Sequence, residues 1–174
     1  MIDCFFSNLK RMPEQSVILL VEDRDDDVLL IRKAFQKAGL NNPFHVARDG
    51  EEAIAYLSGE GKFSNRLEFP LPWLVLLDLK MPKVDGFEVL RWIRAQPSLS
   101  RLIVLVLTSS EYMKDVDEAY KLGANSFLVK PLDFENAVQM GELIRRYWIG
   151  FNRFPDTERS PRNKPGKVNG NHGA

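Results

Sequence analysis

The chain alternates short, wholly apolar runs with longer stretches in which apolar residues recur every three or four positions. Residues 17–21 are apolar throughout and β-branched at three of five positions. A half-exposed strand would alternate apolar and polar residues. An unbroken run predicts a strand covered on both faces, as in a parallel sheet. Runs at 73–77 and 102–107 predict two more such strands, and shorter ones at 44–47 and 126–129 bring the number to five. Between the first two, Val28, Ile31, Phe35 and Ala38 mark one face of a helix that starts at Asp25-Asp26-Asp27 and stops at Gly39. Similar spacing predicts helices from Asp49-Gly50 through Leu57, from Asp85-Gly86 past Ile93, over residues 114–122 before Gly123, and from about Asp133 to Trp148. Strands alternating with helices predict a parallel sheet with helices on both faces, and right-handed crossovers make it a doubly wound α/β fold. A long connection at 58–72, carrying Gly59, Gly61, Pro70 and Pro72, separates the second helix from the third strand.

Composition narrows the class. With 44% hydrophobic and 28% charged residues the profile is that of a globular protein. Lys+Arg and Asp+Glu are equal at 24 each, so the basic footprint of a dedicated nucleic-acid binder is missing and no direct nucleic-acid partner is expected. No run approaches the roughly 18 apolar residues of a membrane span. Cys4 is the sole cysteine, which excludes an intramolecular disulfide and fits a free thiol in a reducing cytoplasm. Residues 1–15 are expected to be a disordered leader without signal-peptide character, with Met12 as an alternative start. Residues 16–150 form the one domain. Residues 151–174 form an extension, mostly a disordered tail, since residues 155–174 hold three Pro, three Gly and almost no large apolar side chain.

The chemistry gathers at the strand ends. In an open α/β sheet the site lies beyond the carboxyl ends of the strands. The first strand ends in Glu22-Asp23, the third in Asp78, the fourth in Thr108 and the fifth in Lys130. Three carboxylates at one edge repel one another unless something neutralises them. A divalent cation would, and a small all-oxygen set suits Mg²⁺, which keeps several waters. Lys130 and Thr108 then lack an obvious partner other than an anion. A phosphoryl group on Asp78 would engage both, with Asp78 as nucleophile, Lys130 and the metal neutralising the transferred group, and Thr108 donating a hydrogen bond to it.

Val21-Glu22-Asp23, the stretch Leu77-Asp78-Leu79-Lys80-Met81-Pro82 with Asp85-Gly86, Leu107-Thr108-Ser109, and Leu128-Val129-Lys130-Pro131 resemble, in order and spacing, the receiver domain of two-component response regulators. The resemblance spans about residues 16–148. It implies a flavodoxin-like (βα)5 fold with a five-stranded parallel sheet, and phosphotransfer from a sensor histidine kinase to Asp78. It implies Asp23 and Asp78 as direct Mg²⁺ ligands, the backbone carbonyl of Lys80 as a third, and Glu22 further out or acting through water. It also implies that Lys80 and Ser110 tune dephosphorylation, that Phe127 is a switch aromatic, and that the Lys130–Pro131 bond is cis. The phrase Asp49-Gly50-Glu51-Glu52-Ala53, the long 58–72 connection and the aromatic stretch after the last helix are most similar to single-domain regulators that partner phytochromes. A phytochrome-type kinase is the partner this implies. The chain would be a phosphoacceptor rather than an enzyme. Its extension is too short for an effector domain, so output would pass through protein–protein contacts or onward phosphotransfer.

Several residues keep two readings open. Phe127 is equally an ordinary residue at the core's edge. Tyr147, Trp148, Phe151 and Phe154 either seal the core or form an interface, and a homodimer is expected through them. Asp25, Asp26 and Asp27 read as a charge run at a helix start. His45 and His172 have no metal-ligand company. Rival functions fit less well. An aspartyl phosphatase usually places a second Asp where Lys80 stands, a nucleotide binder needs a Gly-rich loop where Glu22-Asp23-Arg24 stands, and a degenerate scaffold would not need Asp78, Thr108 and Lys130 together.

Overall fold

In the computed structural model, which describes residues 16–153, every apolar run becomes a strand and every periodic stretch a helix. The order is β1 (Ile18–Val21), α1 (Asp25–Lys37), β2 (Phe44–Ala47), α2 (Gly50–Ser58), β3 (Leu74–Leu77), α3 (Gly86–Ala95), β4 (Ile103–Thr108), α4 (Met113–Lys121), β5 (Ser126–Val129) and α5 (Phe134–Ile144). The leader, Cys4, Phe154, His172 and the tail lie outside the described residues. The strands form one parallel sheet in the order β2-β1-β3-β4-β5. The two-residue pleat splits each strand between two cores. Leu19, Val21, Val75, Leu77, Val104 and Val106 join residues of α2, α3 and α4. Ile18, Leu20, Leu74, Leu76, Leu105 and Leu107 join α1 and α5 on the other face. This two-sided burial is why the strands carry no polar alternation.

Local chemistry fixes the loops that frame the sheet's carboxyl edge. The Asp85 side chain caps α3 at Glu88 N–H, and Glu88 answers to the Asp85 N–H, a complete capping box. Asp49 caps α2 with one oxygen, accepting from Glu52 N–H at 2.8 Å, and pairs through the other with Lys83 Nζ at 2.6 Å. One carboxylate therefore staples the β3–α3 loop to the start of α2. The hydrogen bond from Lys83 holds the Asp49 carboxyl below its ordinary range. A depressed folded-state value contributes stability above the unfolded value of 3.8 and loses it as pH falls through the folded one. Asp49→Asn keeps a competent cap but discards the charge. It is expected to be less stable than wild type at pH 7, with the gap closing as acid protonates Asp49. Urea unfolding of both proteins from pH 7 down to pH 3 reads this out, and a gap unchanged at pH 3 would refute it.

The long connection is a packed element. Arg66 donates to the carbonyls of Tyr56 and Leu57 at the end of α2, at 2.7 and 2.8 Å. Tyr56, Phe63, Phe69 and His45 stack edge to face, and the Tyr56 hydroxyl donates to the Pro70 carbonyl. The last helix departs from expectation. Its α-helical part ends at Ile144, and Arg145–Phe151 continues as a π-helix in which Asn152 N–H reaches back five residues to the Tyr147 carbonyl at 2.7 Å. Trp148 and Ile149 pack on the α1–α5 core, while Tyr147 and Phe151 are 57% and 75% exposed.

Candidate functional site

Sheet register assembles the site. Val21 pairs with Leu77, so Glu22 and Asp78 leave adjacent strands side by side at the point where strand order reverses. Asp78 N–H donates to the Val21 carbonyl at 3.0 Å, and Lys130 N–H donates to the Thr108 carbonyl at 2.8 Å. The strand ends are thus locked by backbone bonds, and the side chains beyond them inherit that precision. Glu22 is fully buried, Asp78 is 4% exposed, and Asp23 is exposed. One oxygen from each of these three lies within 4.8 Å of the others.

Lys130 sits at the centre of the charge. Its ammonium is 2.6 Å from Asp78 Oδ2, 2.6 Å from Glu22 Oε2 and 3.0 Å from Asp27 Oδ2. The contact with Glu22 is close but poorly aligned, and Glu22 Oε2 has no hydrogen-bond donor in good geometry. Burial is the main cause that pushes the Glu22 carboxyl above its ordinary range, against the opposing pull of Lys130. The Lys130 ammonium is held above the usual lysine range: Asp78 and Glu22 outweigh burial, which alone would lower it. Asp78 Oδ1 also accepts from Lys80 N–H at 3.2 Å. Thr108 is fully buried, and its hydroxyl oxygen accepts from Ser110 N–H at 3.3 Å. Ser110 in turn donates its hydroxyl to Asp115 at the start of α4. Phe127 is half-buried against the α2–α3–α4 core. The Lys80 side chain turns away, its ammonium 5.6 Å from the Tyr112 ring centroid.

The strand-end residues named from sequence are therefore brought together, and Asp27 joins them from α1. From sequence alone Asp27 belongs to a charge run at a helix start. The cue was its position seven residues before Ala34 and four before Ile31, both buried on the inward stripe of α1. No cis peptide occurs among the described residues, so the Lys130–Pro131 bond is trans, contrary to the resemblance. The small energy difference between the isomers before proline permits either.

Three carboxylates, Glu22, Asp27 and Asp78, share one ammonium here, and Asp23 joins Glu22 and Asp78 in the acidic cluster. Two buried carboxylates, Glu22 and Asp78, with Asp23 exposed beside them, outnumber the one ammonium, and a hard divalent cation with oxygen ligands would neutralise that excess. Among the described residues no helix is long and apolar enough to cross a membrane.

Fold and site together define a doubly wound α/β switch domain built around an acidic, cation-accepting pocket. The chain belongs to the response regulator receiver domain family, whose model matches residues 18–142, and which acts in two-component signalling through activation by phosphorylation. It is 42% identical over 142 residues to a probable methanogenesis regulatory protein, FilR2, of Methanothrix harundinacea, covering 80% of this chain and 87% of that one. It is 38% identical over 133 residues to the response regulator Rcp1 of Synechocystis, covering 76% and 88%. The Mn²⁺-bound structure of Rcp1 matches with a TM-score of 0.73 at 36% identity, over 80% of this chain and 99% of that one. The phosphorylated cyanobacterial phytochrome response regulator RcpA matches with a TM-score of 0.75 at 35% identity, over 81% and 99%. Receiver domains hold a divalent metal at their acidic pocket, and the Glu22–Asp23–Asp78 cluster forms such a pocket here.

Proposed function

We propose that this receiver accepts a phosphoryl group on Asp78 from a sensor histidine kinase, with Mg²⁺ as the bound cation, and signals by changing its protein contacts. The observation that carries the reading is Asp78 itself. It is a buried carboxylate, in ion contact with Lys130 at 2.6 Å and within ligand distance of Glu22 and Asp23. Asp23, Asp78 and the Lys80 carbonyl would hold the cation, with Glu22 acting through water. When bound, Mg²⁺ supplies positive charge against the oxygens of the transferring group. A carboxylate oxygen of Asp78 attacks phosphorus, an O–P bond forms, and the bond to the donor's nitrogen or acyl oxygen breaks with its electron pair leaving on the donor. Lys130 then follows the charge from the Asp78 carboxylate to a phosphoryl oxygen. Thr108 exchanges its contact with Ser110 N–H for donation to the same group. Phe127, two residues before Val129, which pairs with Thr108, would respond to that movement as the switch aromatic.

The relatives named for phytochrome responses favour a phytochrome-type kinase as donor. The chain would act in the cytoplasm, as a phosphoacceptor whose only chemistry is its own phosphorylation and slow dephosphorylation. Incubation with acetyl phosphate and Mg²⁺ should add one phosphoryl mass to the intact protein, and chelation of the metal should prevent it. A chain that stays unmodified with both present would sink the reading.

A homodimer through the end of α5 belongs to the same proposal. Leu143, Tyr147 and Phe151 are 67%, 57% and 75% exposed on consecutive turns, and a symmetric pairing would cover that apolar strip twice. Sedimentation equilibrium should give a dimer for wild type and a monomer for the Tyr147→Asp, Phe151→Asp double variant. A wild type that remains monomeric at high concentration removes the idea.

A further inference from the structure

Lys130 donates to Asp78 and Asp27 and stands in ion contact with Glu22, so three carboxylates share one ammonium. Two of these, Glu22 and Asp78, belong to the cation cluster, whereas Asp27 does not. Asp27 reaches the pocket from the first turn of α1, with its side chain 23% exposed. Its other charged neighbour, Arg24, is 3.9 Å away and largely in solvent. A divalent cation and an ammonium compete for the same carboxylate lone pairs. When the cation engages Asp78 directly and Glu22 through water, Lys130 either stays beside it, with like charges opposed, or loses its partners at a site where its side chain is only 11% exposed.

We infer that Asp27 is a positioning residue for the phosphoryl chemistry: it holds the Lys130 ammonium on the α1 side of the pocket and so releases Glu22 and Asp78 to the cation. The inference rests on the metal and phosphoryl roles proposed above. Asp27 touches neither the reacting atoms nor the cation. Phosphorylation strengthens the case for it, because Asp78 as an acyl phosphate no longer presents the free carboxylate that Lys130 now meets. Asp27 then remains as the fixed counter-ion from which the ammonium can extend an N–H to a phosphoryl oxygen.

A double-mutant cycle on the full chain tests this, with Mg²⁺ affinity measured by calorimetry. Asp27→Ala should weaken Mg²⁺ at least about threefold when Lys130 is present, the scale of coupling between contacting groups. In a Lys130→Met background the same substitution should change affinity by less than about twofold. Asp27→Asn, which keeps the shape and the helix turn, provides the cycle should the alanine variant fold poorly, and it should show the same dependence on Lys130. An equal factor in both backgrounds would mean that Asp27 acts through its charge alone, and would overturn the inference. No effect in the presence of Lys130 would overturn it as well. Asp23→Ala separates the two levels. If it binds Mg²⁺ like wild type, the metal assignment fails and the inference with it. If it loses Mg²⁺ while the cycle is additive, only the role of Asp27 fails.

Discussion

Asp78→Asn is expected to gain no phosphoryl mass under conditions in which wild type gains one, and to remain folded while failing. The substitution keeps the size of the side chain and leaves one acceptor oxygen, enough for Lys130 or the Lys80 N–H but not for both, since they reach different oxygens of Asp78. It removes the nucleophile, because an amide oxygen does not form a stable phosphoryl linkage at neutral pH. The effect on stability should run opposite to that on function. Glu22, Asp27 and Asp78 share one ammonium and Asp23 lies beside Glu22 and Asp78, so losing one charge relieves repulsion in the metal-free state. The melting temperature without metal should therefore equal or exceed that of wild type. The rise on adding Mg²⁺ should shrink, because binding stabilises only in proportion to affinity. Equal labelling of the two proteins would remove Asp78 from the site, and a cooperative unfolding transition lost at 25 °C would show that its role is structural.

Gly86→Ala is expected to damage the fold severely for so small a change. A Cβ at Gly86 would stand 2.2 Å from the Asp78 carbonyl oxygen and 2.7 Å from Leu79 Cα. Both obstacles are backbone, so no rotamer change relieves them. Gly86 N–H also donates to the Leu79 carbonyl at 3.0 Å, which ties the start of α3 against the end of β3. The added methyl must lever α3 away from the strand that carries Asp78. Overpacking of this kind costs about 3 kcal/mol, read as a lower urea midpoint. Mg²⁺ affinity should fall with it, since Asp78 is displaced. Gly150→Ala is the control, as its Cβ would meet only the Arg145 carbonyl at 3.6 Å. It should stay within about 1 kcal/mol of wild type. A Gly86→Ala protein as stable as that control would show that the loop yields more easily than its contacts imply.

The sheet and the strand-end residues were legible because two short-range rules suffice. An unbroken apolar run marks a doubly covered strand, and parallel strands deliver their last residues to one edge. Glu22, Asp23, Asp78, Thr108 and Lys130 needed nothing more. Asp27 was hidden by its company: three consecutive aspartates at a helix start fit the helix dipole so well that only the 3.6-residue period separates the inward one from its neighbours. The Asp49–Lys83 staple lay beyond reach for another reason. Its partners are 34 positions apart on two loops, and nothing local in either loop requires the other. The end of α5 escaped because one wide turn and one ordinary turn spend apolar residues at nearly the same rate.

That wide turn converts chain length into an angle. An α-helix advances about 100° per residue, and bonding to the fifth residue instead of the fourth accommodates one extra residue in the same loop of chain. Within that segment Trp148 and Ile149 stay against the α1–α5 core, as Ile144 does before them, while Tyr147 and Phe151 carry the solvent-facing row of Leu143 onward. Adding or removing a residue between Arg145 and Phe151 would re-aim a docked partner around the helix axis like a setting on a dial. The pocket at the opposite end of that helix would be left atom for atom as it is.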